Sequence, residues 1–166
     1  MPNSAASPAA ALEPAPSKHR VFVIDDHGLM RRSIVDALER EPDLAVCGQA
    51  EDAPEGLAAI ATLRPDLVLT DLQLKSTSGL DLIRQLHAQS PALPVVASTM
   101  FNLRRSQRLA FAAGAAGFTS KQEGPEKLIA TVRKVLNTIQ RQPRPGRPPE
   151  PPALYENPSD YRKDEA

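Results

Sequence analysis

Short apolar runs alternate with amphipathic stretches along the middle of the chain. RVFVID, residues 20–25, is almost wholly apolar until it ends in Asp25, with Asp26 next. GLMRRSIVDALER follows, with Met30, Ile34, Val35 and Leu38 spaced as one face of a helix. LAVCGQA reads as a second strand, and PEGLAAIATLR as a helix with a proline suited to its first turn. DLVLTD is a third apolar run ending in acid. GLDLIRQLHAQ is helical, with Leu82, Ile83 and Leu86 inward. LPVVAST predicts a fourth strand, RRSQRLAFAAG a helix stopped by glycine, and AAGFTS a fifth strand. The last helix, PEKLIATVRKVLNTIQR, carries Leu128, Val132, Val135, Leu136 and Ile139 on one stripe.

Five strands alternating with five helices predict an α/β fold, a doubly wound five-stranded parallel sheet of (βα)5 type. Strands that are apolar throughout, rather than alternating, predict burial on both faces. In such sheets, ligands sit beyond the carboxyl ends of the strands. Those ends carry Asp25 and Asp26, Asp71, Ser98 and Thr99, with Lys121 just past the fifth strand. All are expected at one edge.

Proline marks the boundaries. Of 17 prolines, four precede residue 20 and seven follow residue 139. Residues 1–18 and the Pro-rich tail 141–166 are therefore expected to be disordered, and residues 19–140 to form the folded domain. The 20 basic and 20 acidic side chains balance, so no electrostatic footprint for nucleic acid or an anionic membrane exists. The single cysteine, Cys47, reads as a small core residue rather than a reactive thiol. No apolar run approaches the ~18 residues of a membrane span. A reducing, cytoplasmic setting fits both observations.

The strand-end set has a specific chemistry. Three clustered carboxylates repel one another and call for a divalent cation, and magnesium suits carboxylates, water and a phosphate oxygen. A hydroxyl and an ammonium opposite could hold the remaining oxygens of a phosphoryl group. The set reads as a magnesium-dependent aspartyl-phosphate site with one aspartate as nucleophile. His27 reads as a residue near the start of the first helix, and the Arg104, Arg105 and Arg108 run as the solvated face of the fourth.

Several motifs, in order, carry a family resemblance: IDDH at residues 24–27, DLVLTDLQL with Gly79 eight residues after Asp71, VVAST, and GAAGFTSK before the last helix. Over about residues 20–140 the chain resembles the receiver domain of two-component response regulators, with the flavodoxin- or CheY-like sheet. The DDH and GAAGF wording resembles the NarL/LuxR-type subgroup. The resemblance implies that Asp71 is the phosphoacceptor. Asp26 would bind Mg2+ directly, Asp25 directly or through water, and Gln73 through its backbone carbonyl. Ser98 and Lys121 would hold the phosphoryl oxygens, and Phe118 would be the switch aromatic.

The implied function is a signalling module rather than an enzyme. It would be phosphorylated in a phosphorelay by a sensor histidine kinase and would signal by contact with a downstream protein. A weak homodimer is compatible with it. Two departures stand out: Lys75 and Gln122 occupy positions where the family often has proline. The first predicts a looser loop after Asp71, and the second argues against a cis peptide bond after Lys121. The 26 residues after Gln140 hold no amphipathic helix pair, so no helix-turn-helix reader and no direct DNA binding are expected. Competing readings are a phosphorylation-independent receiver-like module, a truncated transcriptional regulator, and a haloacid-type phosphohydrolase. The last would want an acid where Gln73 stands.

Overall fold

β1 (His19–Ile24), α1 (Gly28–Glu39), β2 (Leu44–Ala50), α2 (Ala53–Leu63), β3 (Leu67–Asp71), α3 (Gly79–Gln89), β4 (Val95–Thr99), α4 (Leu103–Ala113), β5 (Gly117–Ser120) and α5 (Pro125–Gln140) follow one another along the chain. A 3-10 turn at Lys121–Glu123 joins the last two. The computed structural model describes residues 17–101 and 103–140. The expectations for residues 1–18 and 141–166, including the missing DNA reader, therefore lie outside the described residues except at Ser17 and Lys18.

All strand pairs are parallel, in the order β2-β1-β3-β4-β5. Alternation along each strand explains the continuous apolar runs. Val21, Val23, Leu67, Leu69 and Val96 face one layer of the core, closed by Ile34 and Leu38 of α1 and by Leu128, Val132 and Leu136 of α5. Phe22, Ile24, Val68, Val95 and Ala97 face the other, closed by Ile60, Leu82, Ile83 and Ala110. Each such aliphatic side chain contributes ~1.5–3 kcal/mol by leaving water. The edge strand β2 is the exception, mostly half-buried. Cys47 accordingly packs at the margin of the core, its thiol donating to the Val21 carbonyl at 3.6 Å.

Helix starts follow local chemistry. His27 caps α1, its Nδ1 accepting from the Met30 N–H at 3.2 Å, which accounts for this histidine as a capping residue. Asp52 and Ser78 cap α2 and α3. Gly114, at φ +110°, ends α4 in a conformation that L side chains rarely adopt. Arg104, Arg105 and Arg108 lie exposed on α4. Among the described residues, no helix is long and apolar enough to cross a membrane.

Candidate functional site

The alternation that builds the core also builds the site. One step past Val23, Leu69 and Val96 on their shared face come Asp25, Asp71 and Ser98. Register keeps them level, since Ile24 pairs with Thr70 and Asp71 with Ser98. The strand-end residues thus converge on one edge, as expected.

Asp25 is 1% exposed. Its Oδ1 accepts from the His27 N–H at 2.9 Å, and Arg31 Nη1 donates to its backbone carbonyl at 2.6 Å. Arg31 also reaches Gln49 and Glu51 on the β2 side. Asp71 Oδ1 accepts from the Gln73 N–H at 3.1 Å. Lys121 lies between the two carboxylates, its Nζ 2.5 Å from Asp25 Oδ2 and 2.7 Å from Asp71 Oδ2. Burial of the ammonium works to lower its pKa, but hydrogen bonds and charge from Asp25 and Asp71 outweigh that and hold it raised. The repulsion expected among the acids is therefore partly offset within the chain itself.

Asp26 is exposed beside them. Asp25, Asp26 and Asp71 each present a carboxylate oxygen within 4.8 Å of the others. Three carboxylates against one ammonium leave a formal charge of −2, and the oxygens are hard donors. This donor set fits Mg2+. Ser98 is 1% exposed, and its hydroxyl is buried without a hydrogen-bond partner among the described residues. Phe118 is half-buried, in register with Ala97, and lines a groove of about 510 Å³ with Gln107, Phe111 and Val135.

The loop after Asp71 differs from expectation. Lys75 was expected to leave it looser, yet Asp52 at the start of α2 pins it. The Asp52 carboxylate accepts from the Ser76 N–H at 3.2 Å, from the Ser76 hydroxyl, and from Thr77 Oγ1 at 2.7 Å. The hydroxyls of Ser76 and Thr77 hold the Asp52 pKa below its ordinary value. Gly79 completes the turn by close approach, because a Cβ there would lie 2.1 Å from the Asp71 carbonyl oxygen. No cis peptide bond occurs among the described residues, as Gln122 suggested. Gln122 Nε2 instead donates to the Met100 carbonyl at 3.1 Å, tying the Lys121 turn to the end of β4.

Sequence reasoning missed Arg31 and Asp52. Arg31 gave no signal, because its partners are backbone and a neighbouring strand. Asp52, just before Ala53 and Pro54, carried a readable helix-cap signal.

A family model described as the response regulator receiver domain matches residues 21–133. A DNA-binding transcriptional activator of Mycobacterium tuberculosis, DevR/DosR, is 33% identical over 116 residues, covering 70% of this chain and 54% of that protein. A protein-glutamate methylesterase/protein-glutamine glutaminase of Koribacter versatilis is 35% identical over 135 residues, covering 76% of this chain and 37% of that protein. The chain thus spans about half or less of the length of these relatives. The crystal structure of a LuxR-family two-component response regulator from Aurantimonas superposes with a TM-score of 0.70 at 30% identity, covering 74% of this chain and 87% of that one. With the match spanning the sheet and its acidic edge, the chain belongs to the response regulator receiver family.

Proposed function

We propose that this chain is a phosphoacceptor receiver of the NarL/LuxR-type subgroup, phosphorylated on Asp71 by a sensor histidine kinase, and that it signals by protein contact rather than by catalysis. The observation that carries this reading is the level row of Asp25, Asp71 and the unpartnered Ser98 hydroxyl, with Lys121 above it. In the transfer step an Asp71 carboxylate oxygen attacks the phosphorus of a phosphohistidine. A P–O bond forms, the P–N bond breaks, and the electron pair returns to the imidazole. Asp25, Asp26, Asp71 and the Gln73 backbone carbonyl would hold Mg2+, which when bound neutralises charge on the phosphoryl oxygens. The Lys121 ammonium, already at Asp71, turns to a phosphoryl oxygen, and the Ser98 hydroxyl donates to another. Phe118 and the groove it lines between α4 and α5 then carry the change to a partner, which shifts the population only as far as its affinities for the two states differ.

The test is incubation with Mg2+ and acetyl phosphate, read by intact mass. A phosphoryl adduct that disappears in Asp71→Ala supports the reading. Continuous phosphate release at enzymatic rate would favour a hydrolase, and no adduct would favour a phosphorylation-independent module.

A further inference from the structure

The loop between β3 and α3 starts directly after Asp71 and carries Gln73. Backbone closes its two ends: the Gly79 N–H donates to the Leu72 carbonyl at 2.9 Å, and Gln73 and Ser78 form an antiparallel bridge. Its tip is held from outside, by Asp52. As the cap of α2, Asp52 has the Ala53 N–H donating to its Oδ1 at 2.9 Å. The same carboxylate accepts three more hydrogen bonds, all from Ser76 and Thr77. Ser76 is exposed and Thr77 half-buried, so water could satisfy these donors without the entropy that a fixed loop forfeits. Capping does not require that grip. The neighbouring residue makes a second tie: Glu51 meets Arg31 at 3.1 Å, and Arg31 donates to the Asp25 carbonyl at 2.6 Å. The junction of β2 and α2 thus anchors both Asp25 and the loop after Asp71, although it supplies none of the three clustered carboxylates.

We propose that Asp52 is a positioning residue for the Mg2+ site, acting through Ser76 and Thr77 to hold the Gln73 backbone in one geometry. Mg2+ demands near-ideal octahedral coordination, so a ligand oxygen that wanders weakens binding. Asp25 and Asp71 are fixed by their strands and by Lys121. A carbonyl on a loop is fixed only by what closes the loop. Lys75 leaves the tip without the stiffness of a proline, and charge-assisted bonds to Asp52 supply that stiffness from a neighbouring element. A loop that held the binding geometry for only a fraction of the time would lower the apparent Mg2+ affinity by that fraction. The proposal rests on the reading of Gln73 as a metal ligand and adds what fixes that ligand in place.

Mg2+ titration of the full chain, followed by backbone amide NMR shifts, tests it in wild type, Asp52→Ala, Asp52→Asn and the double variant Ser76→Ala/Thr77→Val. Asp52→Ala removes cap and grip together. The double variant removes the side-chain grip, leaves the cap, and carries the test should loss of the cap unfold Asp52→Ala. Both should weaken Mg2+ binding about threefold to tenfold. Asp52→Asn keeps an oxygen for Ala53 and Thr77 and should lose less. Adding Asp52→Ala to the double variant should give binding no weaker than Asp52→Ala alone, because both changes remove one contact. Wild-type affinity in the double variant, or a combined variant weaker than Asp52→Ala, would overturn the grip while leaving the metal site intact. Absence of any Mg2+-dependent shift in wild type would overturn the metal reading itself.

Discussion

Replacing Lys121 with methionine keeps most of the aliphatic stem and removes the charge that lies between two carboxylates. The side chains concerned are 3% exposed for Lys121, 2% for Asp25 and 11% for Asp71, so solvent screens little of the change. Without the ammonium, carboxylate oxygens within 4.8 Å of one another face each other directly. At an effective dielectric near 20 that repulsion is roughly 3.5 kcal/mol. Removing one partner of a buried pair costs about 3–5 kcal/mol by mutagenesis, which agrees. Lys121→Met in EDTA should therefore unfold with about 3 kcal/mol less stability, a fall of roughly 10 °C in Tm for a domain of this size. Millimolar Mg2+ should return more stability to the variant than it adds to wild type, because the cation takes over the role of the ammonium. Adding Asp71→Asn to Lys121→Met should recover much of the loss in EDTA. Chemical denaturation of the three proteins with and without Mg2+ reads all six combinations. A variant within about 0.5 kcal/mol of wild type in EDTA, or equal gains from Mg2+, would refute the ammonium's part in holding this edge together.

Two further outcomes follow from other sites. Burial pushes the Cys47 thiol from 9.0 up to about 11, so the folded form holds its proton longer than the unfolded chain; this stability is full below pH 9 and lost as pH rises toward 11. Cys47→Ala should flatten that alkaline limb by about 2 kcal/mol in urea titrations, and an unchanged limb would contradict the assignment. Gly79→Ala places a Cβ 2.1 Å from the Asp71 carbonyl oxygen and 2.6 Å from Leu72 Cα. It should cost roughly 2–4 kcal/mol in a denaturant melt and slow phosphorylation by acetyl phosphate, since the displaced backbone carries the acceptor.

The order of elements was legible because each buried strand is an unbroken apolar run and each helix carries a periodic stripe. Leu82, Ile83 and Leu86, and Leu128, Val132, Val135 and Leu136, lie buried where the stripes placed them. The acidic edge was legible because a parallel sheet puts all its strand ends on one side. What could not be read were contacts that depend on side-chain reach between distant segments. Asp52 grips Ser76 and Thr77, 24 and 25 residues away, and that grip reverses the expectation drawn from Lys75. The contacts of Lys121 with both Asp25 and Asp71, 96 and 50 residues away, are of the same kind.

α5 has a consequence for how the protein comes into being on the ribosome. It supplies Leu128, Ile129, Val132, Val135 and Leu136 to one layer of the core, and Arg133 clasps Glu41 and Asp43 across some ninety residues of chain. A nascent polypeptide that has emerged only as far as β5 has that layer of its sheet covered by α1 alone, without the α5 side chains that complete it. Lys121 stands four residues before α5 begins. The ammonium is therefore fixed over Asp25 and Asp71 at nearly the same moment as the exposed face is sealed. Half-made chains therefore lack the completed edge, in which Lys121 holds Asp25 and Asp71 together.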